Sequence, residues 1–157
     1  MKTKQISFLV MVLMTIVFTP KTSFSHCQVP CGIYEDSLRI ALMKEHVVTI
    51  KKSMTKISEL SLSEKQEQHQ IIRWVMNKEE HATKIQDLVM DYFLTQRLKP
   101  VDPANHHYNE YILKLGALHK IGVLAMKCKQ GIQLTTAADL LKAIQVFEGL
   151  YFHEHKH

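Results

Sequence analysis

Residues 36–60 read DSLRIALMKEHVVTIKKSMTKISEL. Within them Leu38, Leu42, His46, Ile50, Met54 and Ile57 recur every three or four positions. That period puts them on one face of a helix. The stretch predicts a first amphipathic helix from about Asp36 to Leu60, and such a helix needs partners to cover its apolar side.

Working towards the C-terminus, the same period returns three times. Ser61 with Glu64 three residues on predicts a capping box opening a second helix. This helix runs through Ile71, Val75, Ala82, Ile85, Val89 and Tyr92 and stops before Pro100. Asp102 and Pro103 read as the cap and first turn of a third helix, with Tyr108, Tyr111, Ile112, Leu115, Leu118 and Met126 on its apolar face and Gly131 as its stop. Thr136 and Asp139 open a fourth, which turns Leu140, Leu141, Ile144, Phe147 and Leu150 inward. No sustained alternation of period two lies between turn residues, so strands are not expected. Four amphipathic helices with short connections predict an all-α fold, a four-helix bundle, preceded by a non-helical N-terminal hook.

Working towards the N-terminus, residues 1–25 have the features of a signal peptide. Lys2 and Lys4 precede the apolar run ISFLVMVLMTIVF at residues 6–18, Pro20 breaks any helix, and Ser23 and Ser25 place small residues three and one positions before a cut. The run is shorter than the ~20 residues that a comfortable membrane span requires. Cleavage after Ser25 by a signal or processing peptidase leaves residues 26–157 as a single domain, exported to the periplasm or the medium. The segment holds three of the twenty Lys and Arg residues, Lys2, Lys4 and Lys21, and none of the fifteen Asp and Glu residues, so its loss lowers the net charge from +5 to +2. So small a charge gives no case for nucleic acid or for an acidic membrane surface.

Cleavage there makes His26 the first residue of HCQVPCG, residues 26–32. In an exported chain a Cys27–Cys31 disulfide is the ordinary expectation. The new terminus offers something more specific. The α-amine of His26 and the backbone nitrogen of Cys27 close a five-membered ring on a metal, and that nitrogen with the Cys27 thiolate closes a second. Cys31 can supply a fourth donor, because Pro30 fixes φ and Gly32 tolerates a tight turn. A planar set of two nitrogens and two thiolates suits nickel(II), with copper(II) as its main competitor. The His26 imidazole can reach an axial position. Thiolates and a deprotonated amide push electron density onto the metal and bring nickel(III) within reach.

The stretch HCQVPCGIY, residues 26–34, resembles the hook of the nickel superoxide dismutases, whose pattern is H-C-x-x-P-C-G-x-Y. Weaker similarity runs on through Arg73, Lys78-Glu79 and Asp91-Tyr92-Phe93, to about residue 100. The resemblance implies an enzyme that disproportionates superoxide to oxygen and hydrogen peroxide, with a nickel ion held by His26, Cys27 and Cys31. It further implies that Tyr34 and Tyr92 limit access and order water beside the metal, that the Val29–Pro30 bond is cis, and that the chain assembles as a homohexamer. At the third hook position, where many members have an acid, this chain has Gln28. In the best studied members a glutamate and an arginine support the axial histidine; their positions fall here on Ala41 and His81, with Glu45, His46 and His81 as candidate replacements.

The remaining residues carry blander readings. Trp74 and the methionines at helical spacing read as core or subunit contacts, and Cys128 as a thiol without a role. His106-His107 and the tail histidines His153, His155 and His157 could trap metal, but read as solvated. Lys44, Lys51, Lys52 and Lys99 read as solvated residues, some of which could steer a small anion. The competing class of function is an exported, non-enzymatic helical protein that carries nickel or copper or is stapled by Cys27–Cys31.

Overall fold

The computed structural model describes residues 35–63 and 67–152. The first helix, α1, spans Asp36–Ser61, and α2 spans Gln68–Asp87 and runs on into a π-helical segment, Leu88–Arg97. The third, α3, spans Tyr108–Gln130, and α4 spans Leu134–Phe152. Among the described residues there are no strands, as expected for an all-α chain. Each helix packs on its sequence neighbours, and α4 returns to α1, so the four close a ring around one core. Among the described residues no helix is long and apolar enough to cross a membrane.

The buried stripe of α1 is Ile40, Met43, Val47, Ile50, Met54 and Ile57. Its steps of three and four residues alternate, which keeps a seam facing its partners along about five turns. The sequence reading assigned Leu38, Leu42 and His46 to that face. They follow steps of four only and lie one row to its side: Leu38 is exposed, and Leu42 and His46 are half-buried. In α3, Ile112 and Met126 are likewise exposed, whereas Ile121, Leu124, Ala125 and Cys128 are buried.

The helix starts also differ from expectation. Ser61 does not open the second helix. It is the last residue of α1, and its hydroxyl donates to the Ile57 carbonyl at 2.7 Å; Glu64 lies outside the described residues. Asp102 caps a short turn instead, its carboxylate accepting from the Ala104 N–H at 2.8 Å, and α3 begins at Tyr108. The α4 helix opens at Leu134, two residues ahead of Thr136. Gly131 does end α3, with extended backbone.

Polar side chains lock the helix pairs. Lys78 on α2 is almost wholly buried, and its Nζ donates to the Cys128, Lys129 and Gly131 carbonyls at 2.8, 2.6 and 3.0 Å. The last carbonyls of a helix lack intrahelical partners and carry the negative end of its dipole, so a buried cation belongs there. Asn77 donates to the Ser53 hydroxyl at 2.9 Å between α2 and α1, and Lys44 meets Glu148 at 2.6 Å between α1 and α4.

Candidate active site

One carboxylate at the start of α1 gathers side chains from two other elements. Asp36 is the first residue of that helix, where an acid is favoured by the dipole. Its Oδ2 accepts from the Tyr151 hydroxyl at 2.7 Å, from the last turn of α4. Its Oδ1 accepts from the Tyr92 hydroxyl, and from Nε and Nη2 of Arg97, both at 2.7 Å. The Arg97 Nε also donates to the Tyr92 oxygen at 3.2 Å.

The π-helical segment makes this possible. Its bonds run from residue i+5 to residue i, as in Leu98 N–H to the Phe93 carbonyl at 2.7 Å, and the Thr95 and Gln96 side chains donate to the carbonyls five residues back. Side chains five apart therefore stack, and Arg97 lies over the Tyr92 ring at 5.1 Å from its centroid. The wider turn also buries two adjacent aromatic residues, Tyr92 and Phe93, completely. Isolated π turns occur often at functional sites. Beneath them Phe93 meets Phe147 at 4.9 Å and Tyr151 at 5.5 Å between ring centroids, edge to face.

Burial alone would raise the Asp36 carboxyl. The hydrogen bonds from Tyr92, Tyr151 and Arg97, with the charge of Arg97, outweigh it and hold the group below its ordinary value. Burial, and then the Asp36 carboxylate, push both phenols upward, so each stays protonated at any physiological pH. On the outer side of Arg97 and Tyr151 an open cleft of about 300 Å³ is lined by Lys99, Lys114, His107 and Glu110 among others. Lys114 is paired with Glu110 at 2.7 Å and Arg97 with Asp36, which leaves Lys99 to give the cleft a small positive excess.

Of the residues singled out from sequence, His26, Cys27, Cys31 and Tyr34 lie outside the described residues, as do His153, His155 and His157. Tyr92 is described and is the centre of the cluster. Asp36, Arg97 and Tyr151 were not singled out. Arg97 is five residues from Tyr92, a spacing that signals nothing in an α-helical frame, and Tyr151 sits in a terminal turn. His46 and His81 are brought together, with Nδ1 atoms 3.0 Å apart. Ala41 is exposed and contributes no polar side chain. Trp74 is half-buried beside an open groove with Arg73, Met76 and Asn77, and Cys128 is fully buried, its thiol pushed up to about 11 by burial.

Residues 21–156, nearly the whole chain, match the family model of the nickel-containing superoxide dismutases. The chain belongs to that family. It is accordingly an oxidoreductase with nickel as its cofactor and superoxide as its substrate. No curated protein and no solved structure matches it. A nickel superoxide dismutase needs donors that bring a hard-to-oxidise ion into redox range. Among the described residues no cluster of three histidine, cysteine or acidic side chains could hold a metal. An amine, an amide nitrogen and two thiolates from His26, Cys27 and Cys31 fit nickel in donor type.

Proposed function

We propose that this superoxide dismutase works through an N-terminal nickel hook made by cleavage after Ser25. His26 supplies its α-amine and imidazole, Cys27 its backbone nitrogen and thiolate, and Cys31 its thiolate. Bound there, nickel supplies a one-electron Ni(II)/Ni(III) couple that oxidises one superoxide to oxygen and reduces the next to peroxide. The observation that carries the reading is the donor set itself. HCQVPCG lies inside the stretch matched by the family model, and it offers thiolates where the described bundle offers no metal cluster.

The bundle's part is to hold the chain where it leaves the hook and to manage protons and access. Tyr34 precedes Asp36 by two residues, at most roughly 7 Å of extended chain. Asp36 in turn is fixed by Tyr92, Tyr151 and Arg97. Tyr92, fully buried and kept protonated, spends its one O–H on Asp36, so its part is to fix that carboxylate, and it cannot act as a base. The cationic cleft beside Arg97, with Lys99 and Lys114, supports steering of superoxide, an effect that fades with salt.

The same reading includes export by the signal peptide and release of residues 26–157 to the periplasm or the medium. It also includes assembly into a homohexamer that buries the hook. Exposed Ile72 and Met76, near Trp74, offer apolar surface for such contacts. The deciding experiment compares superoxide decay catalysed by nickel-loaded residues 26–157 with that of the same protein bearing one extra residue before His26. A fast mature form and a dead extended form are expected. Equal activity of the two would show that the free amine is not a ligand and overturn the reading.

A further inference from the structure

His46 on α1 and His81 on α2 meet across the seam of their two helices, about 15 Å along α1 from Asp36 at the usual helical rise. Their Nδ1 atoms are 3.0 Å apart, their ring centroids 4.9 Å apart, and their planes cross at 75°. Without a metal, one Nδ1 donates its proton to the other, so the rings hold opposite tautomers. The same separation suits two donors to a single ion. With metal–nitrogen bonds of about 2.0–2.1 Å, nitrogens this far apart subtend roughly 95° at the metal. Once the rings turn so that both Nδ1 lone pairs converge, that separation is compatible with adjacent ligands on one ion, and copper(II) heads the affinity order for such nitrogen donors.

We propose that His46 and His81 form a second metal site, made without any of the three hook ligands, which holds one copper(II) or nickel(II) ion through both Nδ1 atoms with water in the remaining positions. Both rings are half-buried, so an ion reaches them from solvent. Burial first, and then neighbouring positive charge, keep both rings neutral, the form that ligates. The charges facing them are Lys84, Glu80 and Glu45. Lys84 is paired with Glu80 at 2.7 Å, which offsets its repulsion of a dication, and Glu45 favours positive charge at both rings. On binding, the donating ring moves its proton from Nδ1 to Nε2, so no net proton is released at neutral pH. With two protein donors and water, the ion is held in exchange with solvent, unlike one enclosed by thiolates.

The test uses the full chain with Cys27→Ser and Cys31→Ser, which removes the hook thiolates, and copper(II) as the probe. Electron paramagnetic resonance of this protein is expected to show imidazole nitrogen coupling. Adding His46→Gln or His81→Gln should weaken copper binding at least about tenfold, or ~1.4 kcal/mol. Circular dichroism checks that the variants keep their helices. A second measurement needs neither His substitution: substoichiometric copper should broaden the ring proton resonances of His46 and His81 before those of other histidines. Unchanged affinity and coupling in the His46→Gln, His81→Gln double variant would overturn the proposal. So would broadening confined to His106, His107 or the tail histidines.

Discussion

Asp36→Asn tests the anchor at the start of α1 most directly. The substitution keeps the side chain's shape and removes its charge. Tyr151, Arg97 and Tyr92 all donate to this carboxylate, the first two at 2.7 Å. Hydrogen bonds to a charged group contribute roughly 1.5–3 kcal/mol each. The sum is not lost in full, because the amide oxygen still accepts and a fifth of the Asp36 side chain is open to water. The expected loss is about 2–4 kcal/mol. At ~4 °C per kcal/mol for a domain of this size, the Tm should fall by roughly 8–16 °C. The assay is thermal unfolding followed by circular dichroism at fixed protein concentration, at pH 7 and again in acid. The carboxyl's folded pKa is lowered, so its contribution is complete above its unfolded value of about 3.9 and is lost as pH falls through the folded value. The gap between the native protein and the variant should therefore begin to narrow only once the pH falls below the unfolded value, and should close as it passes the lowered folded value. Tyr151→Phe should cost less in the Asp36→Asn background than alone, since the two share a bond. A gap below ~0.5 kcal/mol at pH 7, or one indifferent to acid, would refute the argument.

Lys78→Met should lower the unfolding free energy by about 2–4 kcal/mol, read as a lower urea midpoint with an unchanged m-value, because three carbonyls at the end of α3 lose a buried cationic donor. Cys128, fully buried with a thiol pushed up to about 11, should resist a thiol reagent at pH 8 in the folded protein and react once it is unfolded; fast reaction of the native form would contradict the burial. Tyr92→Phe keeps the ring against Phe93 and Arg97 and removes only the hydroxyl. Nickel content should stay constant while the dismutation rate falls, and an unaltered rate would remove Tyr92 from the catalytic surroundings.

How far the sequence could be read depended on which physical signal each feature leaves. The number of helices and the bounds of α1 were legible because the spacing of apolar residues repeats over many turns, and repetition averages out local exceptions. The exact face of α1 was not, since Leu38, Leu42 and His46 keep helical spacing while sitting one row off the seam. The helix starts were misplaced at Ser61 and Asp102, where a side chain that can cap a helix instead bonds back to Ile57 or caps a separate turn. The π-helical stretch was invisible: i+5 pairing leaves no mark that an α-helical template detects, and with it went Arg97. In contrast, Tyr92 was singled out through resemblance as a residue limiting access and ordering water; the structure gives its partners, Asp36 and Arg97.

Those partners bear on a difficulty that any reaction centre built from a chain terminus must meet. Terminal residues fray unless they are tied down, and a metal site tolerates little displacement of its supports. Asp36 ties α1 to residues 56, 61 and 115 positions away, so the start of α1 is fixed by two distant parts of the chain, the π-helical segment and the end of α4. The same carboxylate also determines what the two phenols can do. By accepting from Tyr92 and Tyr151 and adding its negative charge to their burial, it keeps both protonated well beyond the usual tyrosine range. Both phenol protons are thereby committed to Asp36, so the two tyrosines hold the carboxylate in place as neutral donors. Arg97, paired to Asp36 on one side and lining the cationic cleft on the other, offsets the carboxylate's own repulsion of an incoming anion. Arg97 reaches the carboxylate from five residues beyond Tyr92 because the π-helical turn stacks the two.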